Sequence, residues 1–330
     1  MLIAGDIGGT KTLLALYAPQ AGVRRPVAVS EYRSLDYPGL EPMVRDFLAA
    51  TKQTATAACF DVAGPVIDGR AHLTNLPWNL EEASLRAGLG LRQVALLNDL
   101  KAVAYAVPQL NADELHTLNQ GKPVKSAPIA VIAPGTGLGE AFLVHGDKGF
   151  IACASEGGHA SFSPADDHQN DLRRYLAKKF GHVSMERVCS GQGIANIYDF
   201  LRDANPAAET AEFAAKLAQA RDRTPIISKA AEEDPVGCPL CVAALNLFVD
   251  ILGGEAGNLA LKVMATGGVY IGGGIPPRML PRLAGGALLR AFTAKGRMAE
   301  LLAAVPVHVI TAQAALLGAA QYGLDRMAEA

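Results

Sequence analysis

Four short polar segments of this chain carry side chains able to move protons, hold a sugar or grip phosphate. Asn98-Asp99 follows the apolar run Val94 to Leu97 and precedes a helical stretch, which puts the Asp99 carboxylate at a strand end. A general base can sit there, although Asp ahead of a helix is also the ordinary N-cap. Ser155-Glu156-Gly157-Gly158-His159 sets Glu and His three apart across two glycines, a compact turn. Its carboxylate and imidazole can accept from and donate to neighbouring hydroxyls, as a sugar requires, and two ligands are too few for a metal site. Glu186, within His182-Val183-Ser184-Met185-Glu186-Arg187, is a further candidate, with an exposed helical glutamate as the plain alternative.

The fourth segment is Gly5-Asp6-Ile7-Gly8-Gly9-Thr10-Lys11-Thr12. A carboxylate, adjacent glycines and hydroxyl residues between two short apolar runs make a tight hairpin whose backbone N–H groups can close around phosphate, with Asp6 beside a bound cation. A Walker A loop is matched from Gly5 except where Thr10 replaces its second glycine. That loop opens a helix, whereas Thr12 to Tyr17, with Pro19 close behind, reads as a returning strand. A hairpin without ligand is the competing interpretation.

These groups need elements to hold them. Short apolar runs predict strands at Leu2 to Gly5, Leu13 to Ala18, Ala57 to Ala63, Val94 to Leu97, Ile129 to Ala133, Ala141 to Val144, Val269 to Ile271 and Val305 to Ile310. Helical spacing appears at Leu100 to Val107, Asp171 to Phe180, Glu209 to Arg221, Cys241 to Met264 and Gln313 to Arg326, so the fold class is α/β. There is also an internal echo. Leu2 to Thr10 followed by an apolar run resembles Ile129 to Gly137 followed by Ala141 to Val144, each a strand, a Gly/Thr turn and a strand. Two related halves would then grip one nucleotide from opposite sides. Gly135-Thr136-Gly137-Leu138-Gly139 alone is weak, lacking both dinucleotide spacing and a following helix. A third glycine cluster, Gly272-Gly273-Gly274, ends a strand in a turn open enough for a ribose or flat ring, or is simply a flexible turn.

At 330 residues the length favours two domains. Lys plus Arg number 30 against 32 Asp plus Glu with no long run of either sign, which argues for a small-molecule partner rather than nucleic acid or an anionic membrane. Asp6 interrupts what a signal peptide would need, and no stretch approaches the length and apolarity of a membrane span, so the expected location is cytoplasmic. Five scattered cysteines suit a reducing compartment. Cys238-Pro239-Leu240-Cys241 has C-x-x-C form but no second half, and reads as two structural thiols at a helix start.

Read in order, Gly5-Asp6-Ile7-Gly8-Gly9-Thr10, Leu97-Asn98-Asp99, Gly135 to Gly139, Glu156-Gly157-Gly158-His159, Ser184 to Gly191 and Gly272-Gly273-Gly274-Ile275 resemble the bacterial glucokinase family across almost the whole chain. The resemblance implies a two-domain actin-like ATPase (ribonuclease H-like) α/β fold with a central cleft. The smaller domain would comprise 1–109 plus 303–330 and the larger 110–302. It implies ATP-dependent phosphorylation of glucose, the first step of glycolysis, with Asp99 as base and the sugar held by Asn98, Asp99, Glu156, His159 and Glu186. It places ATP at Gly5, Asp6, Ile7, Gly8, Gly9, Thr10, Thr136, Gly137, Gly272, Gly273 and Gly274, Mg²⁺ on Asp6 through water, and a homodimer. Lys11-Thr12 and Ala63-Gly64-Pro65-Val66 are closer to the related repressor and open-reading-frame sugar kinases, but the cysteine-rich zinc motif those carry after Gly-His is replaced here by Ala160 to Pro164. Kinases for another hexose or amino sugar, or using polyphosphate, are the alternatives. A sugar-responsive regulator would need a DNA-binding segment ahead of Leu2, for which the sequence shows no room.

Overall fold

The computed structural model describes residues 1–73, 76–147 and 149–329. Among them, one sheet runs in the order Pro26–Arg33, Lys11–Tyr17, Leu2–Ile7, Ala57–Val62, Gln93–Asn98. Leu2–Ile7 pairs antiparallel with Lys11–Tyr17 and parallel with Ala57–Val62, which is parallel to Gln93–Asn98 in turn. A second sheet runs Gly149–Ser155, Leu138–Gly146, Ile129–Pro134, Gly268–Ile271, Val307–Ile310, Leu115–Asn119. The two orders are the same, third-second-first-fourth-fifth strand, with Leu115–Asn119 added to the second. The internal echo is thus a repeated topology: each sheet begins with a strand, a glycine-rich turn and a returning strand, and its fourth strand joins the first.

Contacts group Met1–Glu114, Phe142–Ala154 and Ala312–Ala330 into one unit, and Leu115–Ala141 with Ser155–Thr311 into another. The division differs from 1–109 plus 303–330 against 110–302. Val307–Ile310 pairs antiparallel with Leu115–Asn119, and Asn119 Nδ2 donates to the carbonyls of Ala303 (3.0 Å) and Val305 (2.7 Å), which ties the segment around 303–311 to the second unit.

In the first unit, alternation decides which residues go to which face. Ile3, Ile7, Phe60 and Val62 meet Met43, Val44 and Phe47 of the helix Leu40–Thr51. Leu2, Ala4, Ala15 and Cys59 meet Ala102 of the helix Asp99–Ala106 and Ala319 and Ala320 of the helix Ala314–Ala328. Small residues make that second face thin, so the helices lie close to the sheet. A β-carbon at Gly318 would collide with the carbonyl oxygen of Ala102.

The core of the second unit is built around the helix Pro239–Val263, whose Phe248, Val249, Ile251 and Leu252 are fully or almost fully buried. This corrects one expectation: at 25 residues and mean hydropathy 1.5 over its most apolar stretch, this helix does have the length and apolarity of a membrane span. It is apolar all round because protein surrounds it, 72% of that stretch being buried.

Candidate active site

In the first unit three carboxylates converge at the sheet's C-terminal strand ends. Asp6 stands beside Asp61 in the parallel register, and Asp99 begins the helix that follows Gln93–Asn98. The N-cap is Asn98, whose Oδ1 accepts from the backbone N–H of Leu100 (3.0 Å) and Lys101 (3.1 Å). Its Nδ2 donates to the Gly64 carbonyl (3.1 Å) and to Asp99 Oδ1 (3.0 Å). Asn98 therefore does the capping that sequence left open for Asp99, and turns the Asp99 carboxylate as it does so. Leu100 N–H adds a 2.8 Å bond to the same Asp99 oxygen. Burial pushes Asp99 up to about 6, with Asp6 adding repulsion and the Leu100 and Asn98 hydrogen bonds opposing it.

Asp61 was not singled out in the sequence. It is fully buried, and burial, then Asp6 and Asp99, push its carboxyl well above the usual range. Burial likewise raises Asp6, offset in part by Asp61. Asp6 and Asp61 shift one another's carboxyls, yet among the described residues no group gives either Asp61 oxygen a hydrogen bond of good geometry.

The hairpin of Gly5 to Thr12 is braced from outside itself. Gly8 N–H donates to the Lys11 carbonyl at 3.0 Å, and a β-carbon on Gly8 would press on that same oxygen. Ser34 Oγ donates to the Gly8 carbonyl (2.7 Å) and shares a 3.0 Å hydrogen bond with the buried Thr12 hydroxyl. With these carbonyls engaged, the turn keeps one shape; Gly9 is half-buried and Thr10 exposed.

In the second unit two glycine clusters separated by more than a hundred residues become neighbours, because Ile129–Pro134 pairs parallel with Gly268–Ile271. Gly272 N–H donates to the Ile132 carbonyl (2.8 Å), and Gly273, at φ +87°, sits where a β-carbon would strike the Pro134 carbonyl. A cavity of about 920 Å³ opens beside them, lined by Gly135, Thr136, Gly191, Gly274, Arg278 and Lys229 among others. Gly191 begins the helix Gly191–Ala204, capped by Ser190, and its N–H donates to the Gly135 carbonyl at 2.8 Å. A helix N-terminus beside a glycine turn suits phosphate. Gly137 lies at that turn, Gly272 beneath it; Thr136 and Gly274 are exposed to the cavity.

Glu186 Oε2 accepts the Leu138 N–H at 3.0 Å, and Ser190 Oγ donates to the Glu186 carbonyl at 2.7 Å. Glu156 and His159 are exposed, their Oε2 and Nε2 being 3.9 Å apart. The second unit thus gathers Thr136, Gly137, Glu186 and Gly272 to Gly274; the first gathers Gly5 to Thr10, Asn98 and Asp99. Sequence reasoning missed Asp61 and Ser34, and it held Ser190 and Gly191 within the 184–191 segment without giving either a role. The Ser-x-x-Gly helix start at 190–193 was the one local signal available for any of them.

Glycine-rich turns repeated on two sheets of one order, with carboxylates at the strand ends, fit a sugar kinase of the actin-like ATPase fold. The chain belongs to the glucokinase family: the family model described as Glucokinase matches residues 3–326. It is similar to a glucokinase of a Nostoc species, 44% identical over 97% of this chain and 98% of that one. A glucokinase structure from an Antarctic psychrotroph is 35% identical, with TM-score 0.85 over 98% of each chain. A glucokinase of the repressor and open-reading-frame kinase group from Streptomyces griseus, solved with glucose and AMPPNP, shares the fold at 20% identity and TM-score 0.59, covering 98% of this chain and 99% of that one.

Proposed function

We propose that this chain phosphorylates the primary hydroxyl of glucose with MgATP, Asp99 acting as general base. The observation that carries the reading is Asp99 itself, held by Asn98 and Leu100 at a helix start and raised to about 6, near the working range of a base at neutral pH. In the reaction Asp99 accepts the hydroxyl proton, the sugar oxygen bonds the γ-phosphorus, and the bond to the bridging oxygen breaks to leave ADP. Little covalent chemistry is asked of the protein, so positioning and charge stabilisation dominate.

Asn98, Asp99, Glu156, His159 and Glu186 are assigned to glucose. Gly5, Asp6, Ile7, Gly8, Gly9, Thr10, Thr136 and Gly137 are assigned to the phosphates, and Gly272, Gly273 and Gly274 to the adenosine. Hard carboxylate oxygens suit Mg²⁺, and Asp6 beside the orphaned oxygens of Asp61 fits such an ion. When bound through the water shell of Asp6 it would neutralise charge developing on the phosphates. The reading extends to a cytosolic homodimer, which sedimentation would test.

A coupled assay across a sugar panel, with ATP and polyphosphate as donors, tests the reaction; for the base, Asp99→Asn is expected to remove nearly all turnover while glucose affinity stays within about tenfold, or about 1.4 kcal/mol. Substantial residual turnover sinks the assignment.

A further inference from the structure

The buried carboxyl of Glu140 has no part in the reaction just described, yet it lies beneath the turn that carries Glu156 and His159. Glu140 is the third residue of the strand Leu138–Gly146 and is 2% exposed. Its Oε1 has no hydrogen-bond partner among the described residues. Its Oε2 is lodged against Gly157, where a β-carbon would collide with it, and a β-carbon on Gly158 would collide with the Leu138 carbonyl. The two glycines of the turn therefore rest backbone-down on Leu138 and Glu140, with the side chains of Glu156 and His159 left exposed on either side.

Behind Glu140 stands the helix Pro239–Val263 with Glu255, 3% exposed, accepting from Asn258 Nδ2 (2.8 Å) and Lys262 Nζ (3.1 Å). The other titratable groups in this field are the buried Cys189 thiol, which Glu255 and Glu140 push up further, and Lys295, lowered by burial and raised by Glu255.

We propose that Glu140 is a positioning residue for the sugar-binding turn, which rests on its uncharged carboxyl and is displaced when that carboxyl ionises. The proposal stands on the reading that Glu156 and His159 hold the sugar. Burial, then Glu255, push Glu140 up to about 7, with Lys262 opposing. A carboxylate formed there faces Glu255 and lacks a donor on Oε1, so it is driven toward water, against the Gly157 backbone that it touches.

The test is calorimetric glucose binding from pH 6 to 8 with wild type, Glu140→Gln, Glu140→Met and Glu156→Gln, each checked for folding by thermal melting. The protonated fraction of a group titrating at about 7 falls from about 0.9 to about 0.1 over this range, so the wild-type Kd is expected to rise about tenfold relative to either Glu140 variant, neither of which can ionise. Taking that ratio removes any pH dependence arising elsewhere in the site. A ratio constant within about twofold overturns the proposal, as does failure of both Glu140 variants to fold, since the turn should accept an uncharged side chain of this size. If Glu156→Gln leaves glucose affinity unchanged at pH 6, the sugar assignment of the turn fails and the proposal with it. If Glu156→Gln weakens binding while the ratio stays constant, only the role of Glu140 is lost.

Discussion

The carboxylate of Glu186 accepts the backbone N–H of Leu138 at 3.0 Å, so a residue assigned to the sugar also fixes the turn assigned to the phosphates. Leu138 is likewise the residue on whose carbonyl Gly158 is seated. The first residues of one strand thereby set the Gly135 to Gly139 turn, Glu186 and the Glu156 to His159 turn together. In the glucokinase reading, the two substrates' binding groups cannot shift independently.

Gly137→Ala should show this coupling. A β-carbon at Gly137 would collide with Glu186 Oε2 and force it off the Leu138 N–H. Losing a hydrogen bond to a charged acceptor costs about 1.5–3 kcal/mol. The KM values for glucose and ATP are both expected to rise, by roughly tenfold to a hundredfold by that same cost. Steady-state kinetics in both substrates decide it, and two KM values within about twofold of wild type would show that the Glu186–Leu138 bond fixes neither site.

The pH dependence of turnover follows from Asp99. A general base works ionised, and this carboxyl is raised to about 6 in the free protein, so kcat/KM for glucose should climb from pH 5 to pH 7 with its midpoint near 6. The same shift has the opposite sense for stability. A folded-state value above the unfolded one stabilises fully below the unfolded value, and that contribution is lost as pH rises through about 6. The kcat/KM and chemical-denaturation profiles across this range should therefore run in opposite directions; a flat kcat/KM profile removes Asp99 as the titrating base.

Gly318→Ala tests the thin helical layer behind the acids. Its β-carbon would strike the Ala102 carbonyl, a backbone atom of the helix begun by Asp99. Overpacking of this kind costs about 3 kcal/mol. Urea denaturation should show the loss, accompanied by reduced kcat because the helix that presents Asp99 must move; an unchanged unfolding midpoint would show that the two helices separate freely.

Much of the architecture was legible because it is written in short-range signals. Alternating or continuous apolar runs ended by glycines marked four strands of each of these sheets, and two strand-turn-strand segments of similar composition announced the repeated topology. The edge strands Pro26–Arg33, Leu115–Asn119 and Gly149–Ser155 went unread. Pro26–Arg33 alternates only half-buried and exposed residues, and Gly149–Ser155 buries one residue, so neither shows the apolar run that marks a core strand. The helix Glu209 to Arg221 shortened to Ala211–Ala218, since the Thr210 hydroxyl, accepting from Phe213 N–H, fixes where it starts.

By itself the sequence determined which residues could do chemistry and the family to which they belong: Asp6 with its glycine hairpin, Asn98-Asp99, the Gly135 turn, Glu156 with His159, and the last glycine cluster. Only the tertiary structure decided which of these are neighbours and in what charge state. Asp61 lies in a run that reads simply as a strand, and it becomes one of three interacting acids only because parallel pairing sets it beside Asp6, fifty-five residues earlier. Glu140 lies just ahead of the run Ala141 to Val144 that reads as a strand and drew no role from sequence, yet the Gly157 backbone lies on its carboxyl and Glu255 faces it from a helix more than a hundred residues on. Side-chain type is local information, whereas burial and the distance to another charge are made by long-range pairing and packing, and these fix a carboxyl's protonation.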